Sequence, residues 1–155
     1  MLKNILVVED EPTSLELLSH FLRKEGYRVS EASDGAEAIE LLDNQQFDLV
    51  LTDIRMPRLD GVTLTLHILS RLPTIPIITM TAFPSEDLRP IWGYGIPCLS
   101  KPLSLDELRS NVQRALSRGR RNHSPSAPCI NVGFPLISVN WGSCLDGMLP
   151  KRDFC

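Results

Sequence analysis

The chain has 155 residues, of which 43% are hydrophobic and 23% charged, with a formal net charge of −3. That is enough for one well-cored domain plus an appendage, and it excludes fibrous and disordered classes. Residues 1–118 hold 12 Lys/Arg and 17 Asp/Glu, a net of −5, while residues 119–155 hold 4 and 2, a net of +2. An acidic body argues against direct nucleic-acid binding by the folded part, and no run approaches the ~18 apolar residues of a membrane span or a signal-peptide pattern, so a cytoplasmic protein is expected.

Residues 2–8 are apolar after Lys3-Asn4, which suits a strand covered on both faces. Glu9, Asp10 and Glu11 follow, and Pro12 suits a first helical turn because its missing N–H costs nothing there. Leu15, Leu18, Phe21 and Leu22 recur at helical spacing until Gly26. Tyr27–Ala32 alternates as a strand, and Asp34 and Glu37 stand at the spacing of a capping box ahead of Ala38, Ile39 and Leu42. Phe47–Asp53 is a third strand. Gly61 leads into a helix marked by Val62, Leu66 and Leu69, which Pro73 ends, and Ile75–Thr81 is a fourth strand.

The next segment is the least regular. Ser85-Glu86-Asp87-Leu88 reads as a helix start, but Pro90, Gly93 and Gly95 leave room for a turn or two. Ile96–Ser100 is a brief fifth strand whose Pro97 favours a sheet edge. Ser104 and Glu107 frame a second capping box before a helix with Leu105, Leu108, Val112, Ala115 and Leu116 on one face. Strictly alternating strands and helices predict a doubly wound α/β fold with a parallel sheet and right-handed crossovers. From Gly119, Arg120–Pro128 reads as a linker. The remainder to Cys155 has no persistent period and no visible output domain, so it is expected to be poorly ordered. Cys98, Cys129, Cys144 and Cys155 lack CxxC spacing, and with His20, His67 and His123 scattered, reduced thiols are expected rather than disulfides or zinc.

The chemistry-bearing residues stand at strand ends. Glu9 and Asp10 end the first, Asp53 the third, Thr81 the fourth and Lys101 the fifth. Open α/β sheets bind ligands at that edge. Acids, a hydroxyl and an ammonium there make a site for Mg²⁺ and a phosphoryl group. Each residue also has a plainer reading: Glu9-Asp10-Glu11 as an acidic helix start, Asp53 as a turn former, Thr81 as a β-branched strand residue, Lys101 as a surface cation. Their ordered combination favours the site.

In that ordered set the chain resembles the receiver domain of two-component response regulators, over roughly residues 1–118. The resemblance implies a flavodoxin-like (βα)5 fold with strand order 2-1-3-4-5. It implies that Asp53 accepts a phosphoryl group from a histidine kinase or phosphotransfer protein. Mg²⁺ would be held by Asp10, Asp53, the main-chain carbonyl of Arg55 and, through water, Glu9. Lys101, ahead of Pro102 in a cis bond, compensates charge, and Thr81 donates its hydroxyl to a phosphoryl oxygen. Ala82 leaves access, while Met56, Pro57 and Gly61 shape the loop. The protein is thus expected to be a switch rather than a turnover enzyme, with an unidentified downstream protein partner and a homodimer left open.

Two departures stand out. Cys98 occupies the place of the usual aromatic switch residue, and Tyr94-Gly95 replaces a Gly-Ala-like pair. A phosphohydrolase of the haloacid-dehalogenase kind would need a second Asp where Arg55 stands, and a dinucleotide-binding domain would need a Gly-rich turn after the first strand. A receiver-like docking module that is never phosphorylated is the remaining alternative.

Overall fold

A computed structural model of the chain describes residues 1–84 and 88–117, the side chain of Trp92 excepted. The expected helix start at 85–87, the linker and tail of 119–155, and Cys129, Cys144 and Cys155 lie outside the described residues.

The elements run β1 (Asn4–Val8), α1 (Pro12–Lys24), β2 (Arg28–Ala32), α2 (Gly35–Asn44), β3 (Leu49–Asp53), α3 (Gly61–Arg71) and β4 (Ile77–Thr81), then a 3-10 helix (Arg89–Tyr94), β5 (Cys98–Ser100) and α4 (Leu105–Ser117). All strand pairs are parallel and the sheet order is β2-β1-β3-β4-β5. The strands are shorter than the apolar runs suggested, most visibly at prolines. Pro76 and Pro97 precede β4 and β5, where each has no N–H to give but accepts with its carbonyl, from Val50 N (3.0 Å) and Thr79 N (2.9 Å) respectively. With β5 at the sheet edge, Pro97 removes no ladder bond that an inner strand would need.

Period-two alternation divides the core between the two faces. Leu6, Val8 and Val50 pack under α2 and α3 with Ala38, Leu64 and Ile68. Ile5, Val7 and Leu51 pack under α1 and α4 with Leu18, Leu22 and Leu108. Both faces are covered, which is why β1 and β3 read as continuous apolar runs rather than alternating ones. Each fully buried aliphatic side chain is worth about 1.5–3 kcal/mol, so the layers hold the strand ends in fixed relation.

Helix ends follow from local chemistry. Glu11 caps α1 by accepting from Thr13 N (3.1 Å) and Ser14 N (2.5 Å), and Pro12 occupies the first turn. Asp34 caps α2 through Ala36 N (2.7 Å) and Glu37 N (3.0 Å). The Glu37 carboxylate accepts from Ser33 N (2.7 Å), one residue ahead of the cap, rather than from the cap residue itself. Asp60 caps α3, and Ser104 caps α4 with Oγ 3.4 Å from Glu107 N.

The buried face of α3 corrects the sequence expectation. Leu64, Thr65 and Ile68 are buried, while Leu66 is exposed. The stretch Gly61–Arg71 is apolar on most sides, so periodicity cannot choose its rotation. Packing of Gly61 on β3 does. Likewise Leu105 on α4 is exposed, whereas Leu108 and Val112 are buried.

Candidate active site at the carboxyl edge of the sheet

Parallel pairing aligns the carboxyl ends of β1, β3, β4 and β5. Val8 stands opposite Thr52, Asp53 opposite Met80, and Thr81 opposite Ser100. The ladder continues one step past the strands, with Ile54 N donating to Met80 O and Lys101 N to Thr81 O, both at 2.9 Å. Glu9, Asp53, Thr81 and Lys101 therefore emerge side by side although up to 92 residues separate them in the chain.

Lys101 joins the acids. Its Nζ donates to Glu9 Oε1 (3.0 Å) and Oε2 (2.8 Å) and to Asp53 Oδ2. Glu9 is buried at 1% exposure and Asp53 at 6%, whereas Asp10 is exposed. Burial is the largest influence on Glu9 and pushes its carboxyl above the usual range, the nearby Asp53 charge adds to this, and Lys101 opposes it. Burial also pulls the Lys101 ammonium down. The hydrogen bonds and charges of Asp53 and Glu9 outweigh it and hold the ammonium above its ordinary value. The Lys101–Pro102 peptide bond is cis.

Glu9, Asp10 and Asp53 each bring a carboxylate oxygen within 4.8 Å of the others. Three carboxylates against one ammonium leave excess negative charge, and the donors are all oxygen, which suits a hard divalent cation such as Mg²⁺. Asp10 also lines an open cleft of about 550 Å³ with Ile54, Arg55, Met56, Pro57, Asp60 and Val62. Asp10 thus joins the acid cluster to this cleft, while the Glu9 carboxylate beside it is buried and the Lys101 ammonium half-buried.

The loop after β3 is held close. Arg55 N donates to Asp53 Oδ1 (3.2 Å), orienting the carboxylate from the side opposite Lys101. Gly61 N donates to Ile54 O (2.9 Å), and a β-carbon at Gly61 would fall 1.9 Å from Asp53 O. The Thr81 side chain is buried, and its Oγ1 accepts from Phe83 N (3.1 Å). Phe83 in turn lies under the guanidinium of Arg55, 4.5 Å from ring centroid to Cζ. Phe83 and Arg58 were not singled out in the sequence, since neither belongs to a periodic face. The only hint was their position in the loops following Asp53 and Thr81. Cys98, on β5 opposite Thr79, is half-buried and not in a disulfide.

A parallel sheet of this order, with acids, a lysine and a hydroxyl gathered at its carboxyl edge, defines a response-regulator type of α/β domain. The response regulator receiver domain family matches residues 5–113, more than half of the chain, and the chain belongs to that family. It is 38% identical over 124 residues to the transcriptional regulatory protein ZraR of Klebsiella oxytoca, covering 79% of this chain and 28% of that protein. It is 43% identical over 115 residues to the transcription factor SKN7 of Saccharomyces cerevisiae, covering 73% and 18%. The chain thus spans well under a third of these relatives. Among solved structures, the receiver domain of sensor histidine kinase PA1611 from Pseudomonas aeruginosa, with a magnesium ion coordinated in its active-site cleft, superposes with a TM-score of 0.69. That pair is 33% identical and covers 76% of this chain and 99% of the other.

Proposed function

We propose that this receiver is a phosphorylation-dependent switch that takes a phosphoryl group onto Asp53 from a histidine kinase or phosphotransfer protein. The observation that carries the proposal is the contact of Lys101 with both Asp53 and Glu9 beside the exposed carboxylate of Asp10. Mg²⁺ would be held by Asp10, Asp53 and the main-chain carbonyl of Arg55, with Glu9 acting through water. When bound, it supplies charge neutralisation at the phosphoryl oxygens.

The chain's own groups do the rest. Asp53 Oδ attacks the phosphorus of a phosphohistidine; the P–O bond forms as the P–N bond breaks, and the imidazole leaves. Lys101 steadies the growing negative charge, and the Thr81 hydroxyl donates to a phosphoryl oxygen. Positioning and charge account for such a step without a strong proton donor, which fits a switch with at most slow self-phosphorylation and self-dephosphorylation. The direct partners of the receiver are then proteins rather than nucleic acid or membrane, in the cytoplasm. Among the described residues no helix is long and apolar enough to cross a membrane.

Incubation with acetyl phosphate or phosphoramidate and Mg²⁺, read by intact mass and peptide mapping, tests the proposal. A single phosphoryl adduct on Asp53 is expected. No adduct under any donor, or one on another residue, overturns it.

A further inference from the structure

Arg58 has a left-handed backbone, with φ at 65°, in the middle of the loop between Asp53 and Gly61. A residue with a long side chain rarely takes that conformation unless its surroundings demand it. The demand comes from Asp34. That residue is buried at 1% exposure, and its Oδ1 is already used by the amides of Ala36 and Glu37 at the start of α2. Its Oδ2 is left inside the protein, where an ionised oxygen is costly without a cation. The Arg58 guanidinium supplies that cation.

The same junction is closed by backbone. Gly35 N donates to Leu59 O (3.2 Å), and a β-carbon at Gly35 would lie 2.7 Å from that oxygen and 2.2 Å from Leu59 Cδ2. The loop's two ends are held at the sheet, by Ile54 N on Met80 O and Gly61 N on Ile54 O. Its midpoint is held at α2, through Arg58 on Asp34 and Leu59 O on Gly35 N. On the arm between these anchors sits Arg55, whose N–H orients the Asp53 carboxylate.

We infer that Arg58 is a positioning residue for the phospho-acceptor site: its ion pair with Asp34 presses the loop onto α2 and so presets Asp53 and the Arg55 carbonyl for Mg²⁺. The inference rests on the proposed metal-dependent acceptor role. It assigns to a surface-facing arginine and a helix cap a part in that role, through outer contacts of the kind that tune metal affinity.

Full-length protein, Arg58→Gly and Arg58→Lys are compared by calorimetric titration with Mg²⁺, well below their unfolding temperatures. Glycine deletes the cation while relieving the left-handed backbone, and lysine keeps a cation. The expected result is about tenfold weaker Mg²⁺ binding for Arg58→Gly, with Arg58→Lys nearer the parent. Without metal, the Gly35 and Gly61 amides of Arg58→Gly should exchange hydrogen faster than in the parent. Unchanged Mg²⁺ affinity in Arg58→Gly overturns the inference, even if its melting temperature moves, because a merely structural pair would shift stability alone. Asp10→Asn separates the two levels. If parent and Asp10→Asn alike bind no Mg²⁺, the acceptor role itself fails, and this inference with it.

Discussion

Gly61 sits so close to Asp53 that a β-carbon on it would lie 1.9 Å from the Asp53 carbonyl oxygen and 2.8 Å from the carbonyl carbon. The start of α3 thus rests directly on the main chain of the proposed phospho-acceptor. Backbone cannot yield as a side-chain tip can, so Gly61→Ala must displace either the helix or the strand end. It should destabilise the domain by about 1–3 kcal/mol, as overpacking does, and slow phosphorylation at temperatures where the protein is still folded. Urea unfolding with an unchanged midpoint would show that the contact relaxes without consequence.

Asp53→Asn removes the attacking carboxylate but keeps the side chain's shape. Phosphoryl transfer from acetyl phosphate should vanish in this variant, and in the parent it should vanish when EDTA removes divalent cations. An adduct that survives either treatment would place the chemistry elsewhere.

Lys101→Ala should keep the fold, because the lysine meets Glu9 and Asp53 at the carboxyl edge rather than within the layers, although buried Glu9 loses its counter-charge and some stability with it. Phosphorylation should slow by on the order of a hundredfold, the usual scale for losing one preorganised charge-stabilising group. The far-ultraviolet circular dichroism should remain that of the parent. Loss of the fold without a separate effect on phosphorylation would reassign Lys101 to a structural role.

The ion pair of Arg109 with Glu25 gives an acid-dependent contribution to stability. Arg109 Nε and Nη2 meet the two Glu25 oxygens at 2.9 and 3.1 Å, and Nη1 reaches Asp106 at 2.6 Å, tying α4 to the end of α1. The hydrogen bond from Arg109 holds the Glu25 carboxyl below its ordinary value of 4.5. A carboxyl lowered in the folded state binds fewer protons there than in the unfolded chain. Its contribution is therefore present above pH 4.5 and lost as pH falls below that value. Glu25→Gln should lower the melting temperature slightly at pH 7 and flatten the decline below pH 4.5. Parallel melting curves for parent and variant across pH 3–7 would remove Glu25 from the acid response.

Response to phosphorylation should be concentrated after β4. Thr81 Oγ1 accepts from Phe83 N, and Phe83 supports Arg55. Drawing the Thr81 hydroxyl toward a phosphoryl oxygen therefore disturbs both. Cys98 is too small to swing between pockets as an aromatic ring does. Hydrogen exchange with beryllofluoride and Mg²⁺ should change protection in residues 82–97, and absence of change there while Asp53 is occupied would move the output surface elsewhere.

Much of this was legible in the chain because it is local or periodic. The apolar run of residues 2–8 marked β1 as a strand covered on both faces, since a parallel sheet between two helical layers leaves no wet side. Pro12, Asp34 and Ser104 marked helix starts because capping involves residues only two or three apart. Glu9, Asp10, Asp53, Thr81 and Lys101 stood out because strand ends can be read one strand at a time. What brings them together is pairing between strands far apart in sequence, and tertiary packing alone decides distances such as 2.8 Å from Lys101 Nζ to Glu9. The rotation of α3 is another such decision: its residues are apolar on most sides, so the chain alone suggests Leu66 for the core, and the docking of Gly61 on Asp53 turns Leu64 inward instead. The contacts of Arg58 with Asp34 and of Arg55 with Phe83 carry no periodic signal at all, because each joins loops that meet only once the sheet has formed.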